Sequence, residues 1–404
     1  MFKALCFVLL SLSLFSCSQQ PHHPNHGNWR VVLELGDKKE LPFTANFRED
    51  HTFIYHNAEE VIETDEVIIR GDSIIITHPV FEGVLKGTFT AATITGSYIK
   101  SSLNRVVPFT MRYGDLPRFH TYSEASARVE GTWETVFSPD SDTDRYIAKG
   151  IFKQEGSKVS GTFRTTTGDY RYLEGVVEGD TLRLSTFDHA HAFLFEAKVT
   201  DSTMTGIFYS GNHFKEPFSA VRNSDYELPR ADSLTFLKEG YDSIAFNFPD
   251  TEGKMVSLDD ERFREKVVIV QIMGSWCPNC LDETRYYTDF YKKNRGEDLE
   301  FVSLAFEYAP TEEKAMAAIK RLKEKVGVPY PILLAQAGSS DKQKANEKLP
   351  MLNHVLSYPT TIFIDKKGVV RKIHTGFNGP ATGDKYTDFI EEFERFIALL
   401  RTED

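Results

Sequence analysis

Two thiols, Cys277 and Cys280, lie in Trp276-Cys277-Pro278-Asn279-Cys280, where the apolar run Val267 to Met273 gives way to a helical pattern. A strand that hands directly into a helix at a Cys-x-x-Cys pair leaves few folds open, because both sulfurs must share the helix's first turn. They form a candidate reversible dithiol. Pro278 suits the first helical position, which needs no N–H donor. At the helix N-terminus, unpaired N–H groups and the positive end of the macrodipole favour thiolate at Cys277. Cys280, one turn inside, is close enough to close a disulfide, and Cys277 is expected to be the more exposed of the two. Leu281, Tyr287, Phe290 and Tyr291 continue the helix, and Asn294-Arg295-Gly296 supplies its stop.

A chain of 404 residues exceeds one ordinary core, so two or three domains are expected. Hydrophobic content of 41% excludes a disordered protein, and a net charge of −12 argues against binding a phosphate backbone, so nucleic acid is not an expected partner. The other cysteines are Cys6 and Cys17. Residues 1–16, with Lys3 ahead of the apolar run Ala4 to Phe15, read as a signal peptide too short for a membrane span. Leu14-Phe15-Ser16-Cys17 resembles a bacterial lipobox, which implies cleavage before Cys17 and lipid attachment there. Processing would leave Cys277 and Cys280 as the free thiols of an exported protein. Residues 17–27 read as a flexible tether. Its His22, His23 and His26 are poor metal ligands without an ordered set of supporting partners, and no metal or other cofactor is expected.

From Trp29 to about Arg222, short runs of β-formers such as Ser73-Ile74-Ile75-Ile76-Thr77 alternate with Gly and Asp, the pattern of antiparallel β structure. The pattern occurs twice. Gly27-Asn28-Trp29 matches Gly131-Thr132-Trp133; Gly71-Asp72 matches Gly179-Asp180; Thr93-Ile94-Thr95-Gly96 matches Thr203-Met204-Thr205-Gly206; Pro108-Phe109 matches Pro217-Phe218. The order is preserved, so residues 28–115 and 128–223 are expected to be duplicated all-β repeats. Barrels, sandwiches or one larger closed sheet would each hide the edges that so many short strands expose. His189-Ala190-His191 has a spacing that metal sites use, yet no third ligand is identifiable, and the pair reads as two polar side chains on the solvated face of a strand.

After Ser224 to about Gly240, read as a linker, the pattern becomes α/β through residues 240–404. A hairpin is expected around Phe248 and Val256. Strands follow at Val267 to Met273, Leu299 to Phe306, Pro331 to Ala335, Thr360 to Ile364 and Val369 to Ile373. Val267 to Met273, apolar on both faces, is expected at the centre of the sheet. Thr311 caps one helix ending near Gly327, and the last helix begins at Asp384. The Gly-rich loop Gly376 to Gly383 is a candidate lip near the dithiol.

These features resemble the thioredoxin fold, and within it the TlpA/ResA-like thiol–disulfide oxidoreductases, over about residues 240 to 402. The resemblance implies that Pro359, in Ser357-Tyr358-Pro359-Thr360-Thr361, faces the dithiol through a cis bond and shapes a groove for substrate backbone. It matches Trp276 to the residue before the pair. It also matches Glu283 to an acidic residue beside the pair, where a carboxylate moves protons and raises thiol pKa values; a helix-surface Glu is the alternative. In the implied chemistry Cys277 attacks a partner disulfide and Cys280 resolves the mixed disulfide. Pro278 and Asn279 place no cation between the thiols, which favours reduction over oxidation. The implied partners are a protein disulfide substrate, a membrane or envelope thiol electron donor, and the membrane through the lipid anchor, in the bacterial cell envelope facing the periplasm or exterior. Three alternatives remain. A zinc site would need two more ligands and has only His354 and His374 nearby; a thiol peroxidase shares the broader fold; and the β repeats could carry the main function as a ligand- or partner-binding lipoprotein.

Overall fold

A computed structural model describes residues 23–403, so the signal-peptide reading, Cys17 and His22 lie outside the described residues. Nine antiparallel strands between Gly27 and Tyr113 form a meander whose first strand, Gly27–Glu34, pairs with its last, Arg105–Tyr113. The sheet curls nearly closed and is left unpaired only between Glu60–Thr64 and Glu66–Arg70. Alternation decides what faces inward: Trp29, Val31 and Leu33 are buried while their neighbours face out.

The second sheet repeats the device. Strand Tyr146–Glu155 pairs with both Gly131–Phe137 and Lys158–Thr165, which closes eight strands into a ring, with the two-residue strand Gly168–Asp169 appended to Lys158–Thr165. Phe137, Phe163, Phe195, Phe208 and Phe218 fill its interior; Phe195 and Phe208 stack with centroids 4.6 Å apart. The repeat is visible in detail. Trp29 Nε1 donates to the Asn25 carbonyl at 2.9 Å, and Trp133 Nε1 donates to the Val129 carbonyl at 2.8 Å.

The remaining chain folds into a five-stranded sheet in the order Ile332–Gln336, Leu299–Phe306, Val267–Met273, Thr360–Ile364, Val370–Thr375. The first three strands are parallel, and Thr360–Ile364 and Val370–Thr375 are each antiparallel to their neighbours. Val267–Met273 is buried along its whole length at the centre, as its composition predicts. Helix α1 (Pro278–Asn294) leaves this strand through the dithiol, and α2 (Glu312–Val326) is capped by Thr311. The short α3 (Lys342–Lys348) has no counterpart in the sequence reading, and α4 (Asp384–Thr402) buries Phe389, Phe393, Ile397 and Leu400. Tyr287 of α1 stacks on Phe393 of α4 at 4.9 Å. The fold is thus all-β barrels followed by an α/β thioredoxin-like domain.

The linker after Ser224 is docked on the C-terminal domain: Thr235 is buried against Thr375, and Lys238 N–H donates to the Met351 carbonyl at 2.8 Å. One expectation needs correction. His189 and His191 do not share a solvated strand face. They lie in a loop after strand Thr181–Phe187, turned by Asp188 Oδ1, which accepts from the Ala190 and His191 N–H groups. His189 is fully buried, bonded through Nδ1 to the Gly83 carbonyl at 2.9 Å, and burial pushes its pKa down to about 4.

Candidate active site

Cys277 is the N-cap of α1, with extended backbone, and its Sγ accepts the Cys280 N–H at 3.3 Å. Its thiol also reaches the Tyr358 carbonyl at 3.4 Å, at the cis Tyr358–Pro359 peptide. The chain thus brings Trp276, Cys277, Cys280 and Pro359 together from two elements far apart in sequence. Both thiols are free. Cys277 is 7% exposed and Cys280 0%, so the expected order holds, but Cys277 is far more covered than a surface nucleophile. Burial pushes the Cys280 thiol well up, and the adjacent Cys277 sulfur adds to the shift.

Glu283, one turn beyond Cys280, is fully buried, which overturns the helix-surface alternative. Its carboxylate accepts from Gln271 Nε2 at 2.8 Å and from the Tyr287 and Thr361 hydroxyls at 3.1 Å each. Burial raises its pKa to about 7, with those donors acting in the opposite direction. Its charge in turn helps hold Cys280 protonated. The sequence reading missed Gln271, Thr361 and Tyr287 as its supports. The signal was present in Gln271, an amide inside an otherwise apolar central strand.

Trp276 is half-buried; its indole donates to the Phe306 carbonyl at 2.9 Å and meets Tyr358 edge-on. A second buried acid, Glu307, accepts from Ser275 N–H and Oγ at 2.7 Å each and fixes the turn into the motif. Burial raises it too to about 7. Lys342, in the first turn of α3, keeps solvent contact, yet its surroundings lower its ammonium below the usual lysine value while the Cys277 sulfur pulls the other way.

The barrels reach this site. Val80, Phe81 and Ala190 join the buried cluster that contains both cysteines. Asn279 Nδ2 donates to the Asp169 carbonyl at 3.1 Å, and Ser357 Oγ donates to the Thr167 carbonyl at 2.7 Å. Arg171 pairs with Asp282 on α1 and Glu60 of the first barrel, with Asp188 at 3.4 Å. The lip Gly376 to Gly383 does lie at the site, with Phe377 fully buried and Gly379 N–H donating to Asp169 Oδ2 at 2.6 Å.

Residues 238–388 match the family model described as Redoxin. The C-terminal domain has a thioredoxin-like fold and resembles the Redoxin family. Thiol-disulfide oxidoreductase ResA of Bacillus subtilis (strain 168) is 28% identical to the chain over 140 residues, covering 35% of this chain and 69% of that protein. Thioredoxin-like protein YneN of the same organism is 29% identical over 140 residues, 35% of this chain and 73% of that one. A solved thiol-disulfide isomerase from Corynebacterium glutamicum aligns over 41% of this chain and all of its own at 15% identity, with a TM-score of 0.32. The likeness to ResA is what supports thiol–disulfide oxidoreductase chemistry in this chain, and both matched relatives cover about a third of it rather than the whole.

Proposed function

We propose that the chain is an extracytoplasmic reductase of protein disulfides. The observation that carries this reading is Cys277 at the N-cap of α1, its sulfur held between the Cys280 N–H and the carbonyl that precedes Pro359. In the proposed cycle Cys277 thiolate attacks one sulfur of a substrate disulfide and the other leaves as thiolate. Cys280 then attacks Cys277, releasing the second substrate thiolate and leaving a Cys277–Cys280 disulfide. Two electrons from an envelope or membrane dithiol donor restore the reduced pair. Glu283 takes the Cys280 proton. Pro359 shapes the groove, and Trp276 packs beside the nucleophile. Full-length protein with dithiothreitol should reduce insulin disulfides; a folded protein that leaves insulin oxidised and never forms the internal disulfide would refute the function.

Anchoring is proposed through Cys17, from Leu14-Phe15-Ser16-Cys17 and the polar tether after it. Cys17→Ala should release the protein from membranes or leave its precursor unprocessed, as read by fractionation and mass; membrane retention of a fully processed variant contradicts it. Residues 240–404 are proposed to fold and exchange disulfides alone, since both thiols, all five sheet strands and α1 to α4 lie within them. If that fragment is folded yet inert while the full chain is active, the domain division is wrong.

A further inference from the structure

Thioredoxin-type exchange on a protein substrate needs open space beside the nucleophile and the X-Pro loop, and in this chain that space holds the chain's own second barrel. The turn Thr165 to Arg171 lies across it. Its main chain presents two carbonyls, Thr167 to Ser357 Oγ at 2.7 Å and Asp169 to Asn279 Nδ2 at 3.1 Å. Ser357 immediately precedes the residues of the cis peptide and Asn279 sits between the thiols in sequence, so both donors belong to the two segments that meet at the Cys277 sulfur.

The fit is close enough to exclude side chains. A Cβ on Gly168, which has φ +144°, would stand 2.3 Å from Asn279 Nδ2 and 3.2 Å from the Phe377 carbonyl. A Cβ on Gly376, across the gap, would stand 2.8 Å from the Thr167 carbonyl carbon. Asn279 Oδ1, buried, pairs with no donor among the described residues. An extended peptide, which offers N–H as well as C=O, would satisfy both ends of that amide, whereas the turn satisfies one.

We propose that the Thr165–Arg171 turn is an internal competitor for the peptide groove, and that Ser357 Oγ and Asn279 are the main-chain docking groups for an extended segment of a disulfide-bearing protein substrate. Arg171, through Asp282 on α1 and Glu60 on the first barrel, clamps the turn in place. The turn must leave before a protein disulfide reaches Cys277, while a small disulfide needs no such opening. This rests on the reductase reading above. Specificity for a protein substrate thus depends on what displaces the barrel turn as well as on the dithiol.

The test uses the full chain with Gly168→Val, against Gly156→Val as control, a hairpin glycine of the same barrel with φ +61° and no neighbour within 4 Å of its added Cβ. Gly168→Val is expected to raise the insulin-reduction rate about tenfold, as when a site closed in roughly nine molecules of ten is opened. Gly156→Val should leave it unchanged, and exchange with oxidised glutathione should change little in either. A folded Gly168→Val with unaltered insulin reduction overturns the proposal. A second measurement needs no change in the turn: hydrogen exchange of Cys280→Ser carrying a peptide as mixed disulfide on Cys277. Segment 165–171 should lose protection on loading, and retention of full protection overturns the proposal. Absence of exchange with glutathione in the unaltered chain would instead defeat the reductase reading.

Discussion

Cys280→Ser should accumulate long-lived mixed disulfides with protein substrates, and Cys277→Ser should form almost none. The asymmetry follows from placement. Cys277 has its sulfur at the open end of α1, where the helix offers N–H groups to a developing thiolate; Cys280 is sealed, and burial holds it in the protonated form. An attack from outside therefore lands on Cys277, and Cys280 acts only from within, once its partner is already bonded to substrate. Non-reducing electrophoresis of the two variants after exposure to oxidised substrate checks this, with insulin turnover abolished in both. Equal trapping by the two would mean that neither role is fixed by position on the helix.

Glu283→Gln should remove a pH dependence that is centred on neutrality. Below about pH 7 the buried carboxyl is protonated and cannot take the Cys280 proton; above it, it can, so resolution of the mixed disulfide speeds up through that range. The Gln variant should lose this inflection and resolve about a hundredfold more slowly, at the lower end of what a positioned proton acceptor contributes. The same shift sets the sign for stability. A carboxyl whose pKa rises on folding contributes stability below its ordinary value of 4.5, and loses that contribution as pH climbs to about 7. At 1.36 kcal/mol per pKa unit, the loss is on the order of 3 kcal/mol across that window. Denaturant unfolding between pH 4 and pH 8 should show this decline flattened in Glu283→Gln, with the share owed to Glu307 remaining. An unchanged slope and an unchanged rate profile would remove Glu283 from the mechanism.

The C-terminal domain was legible because its signals are local and chemical. An apolar run ending at Cys-x-x-Cys and a capping threonine at 311 each point to one backbone arrangement, the family resemblance adds the cis bond before Pro359, and all three are found. The duplicated Trp29 and Trp133 likewise marked equivalent first strands. Helix α3 went unseen because only Ala345 of its seven residues is buried, so it lacks an apolar stripe. The His189 loop was misread as strand because the turn made by the Asp188 side chain went unnoticed. The barrel turn over the dithiol was invisible for a deeper reason. It binds through the main-chain carbonyls of Thr167 and Asp169, which any residue carries, and through charges on Glu60, Arg171 and Asp282 that sequence alone cannot pair.

The most direct test of the dithiol cycle is mass analysis of the full chain after one equivalent of a protein disulfide is added to the reduced enzyme. Loss of two hydrogens, mapped to a Cys277–Cys280 disulfide while two thiols appear on the substrate, is the expected result. Substrate thiols appearing while Cys277 and Cys280 both remain alkylatable, or no transfer at all from a folded reduced protein, would contradict it.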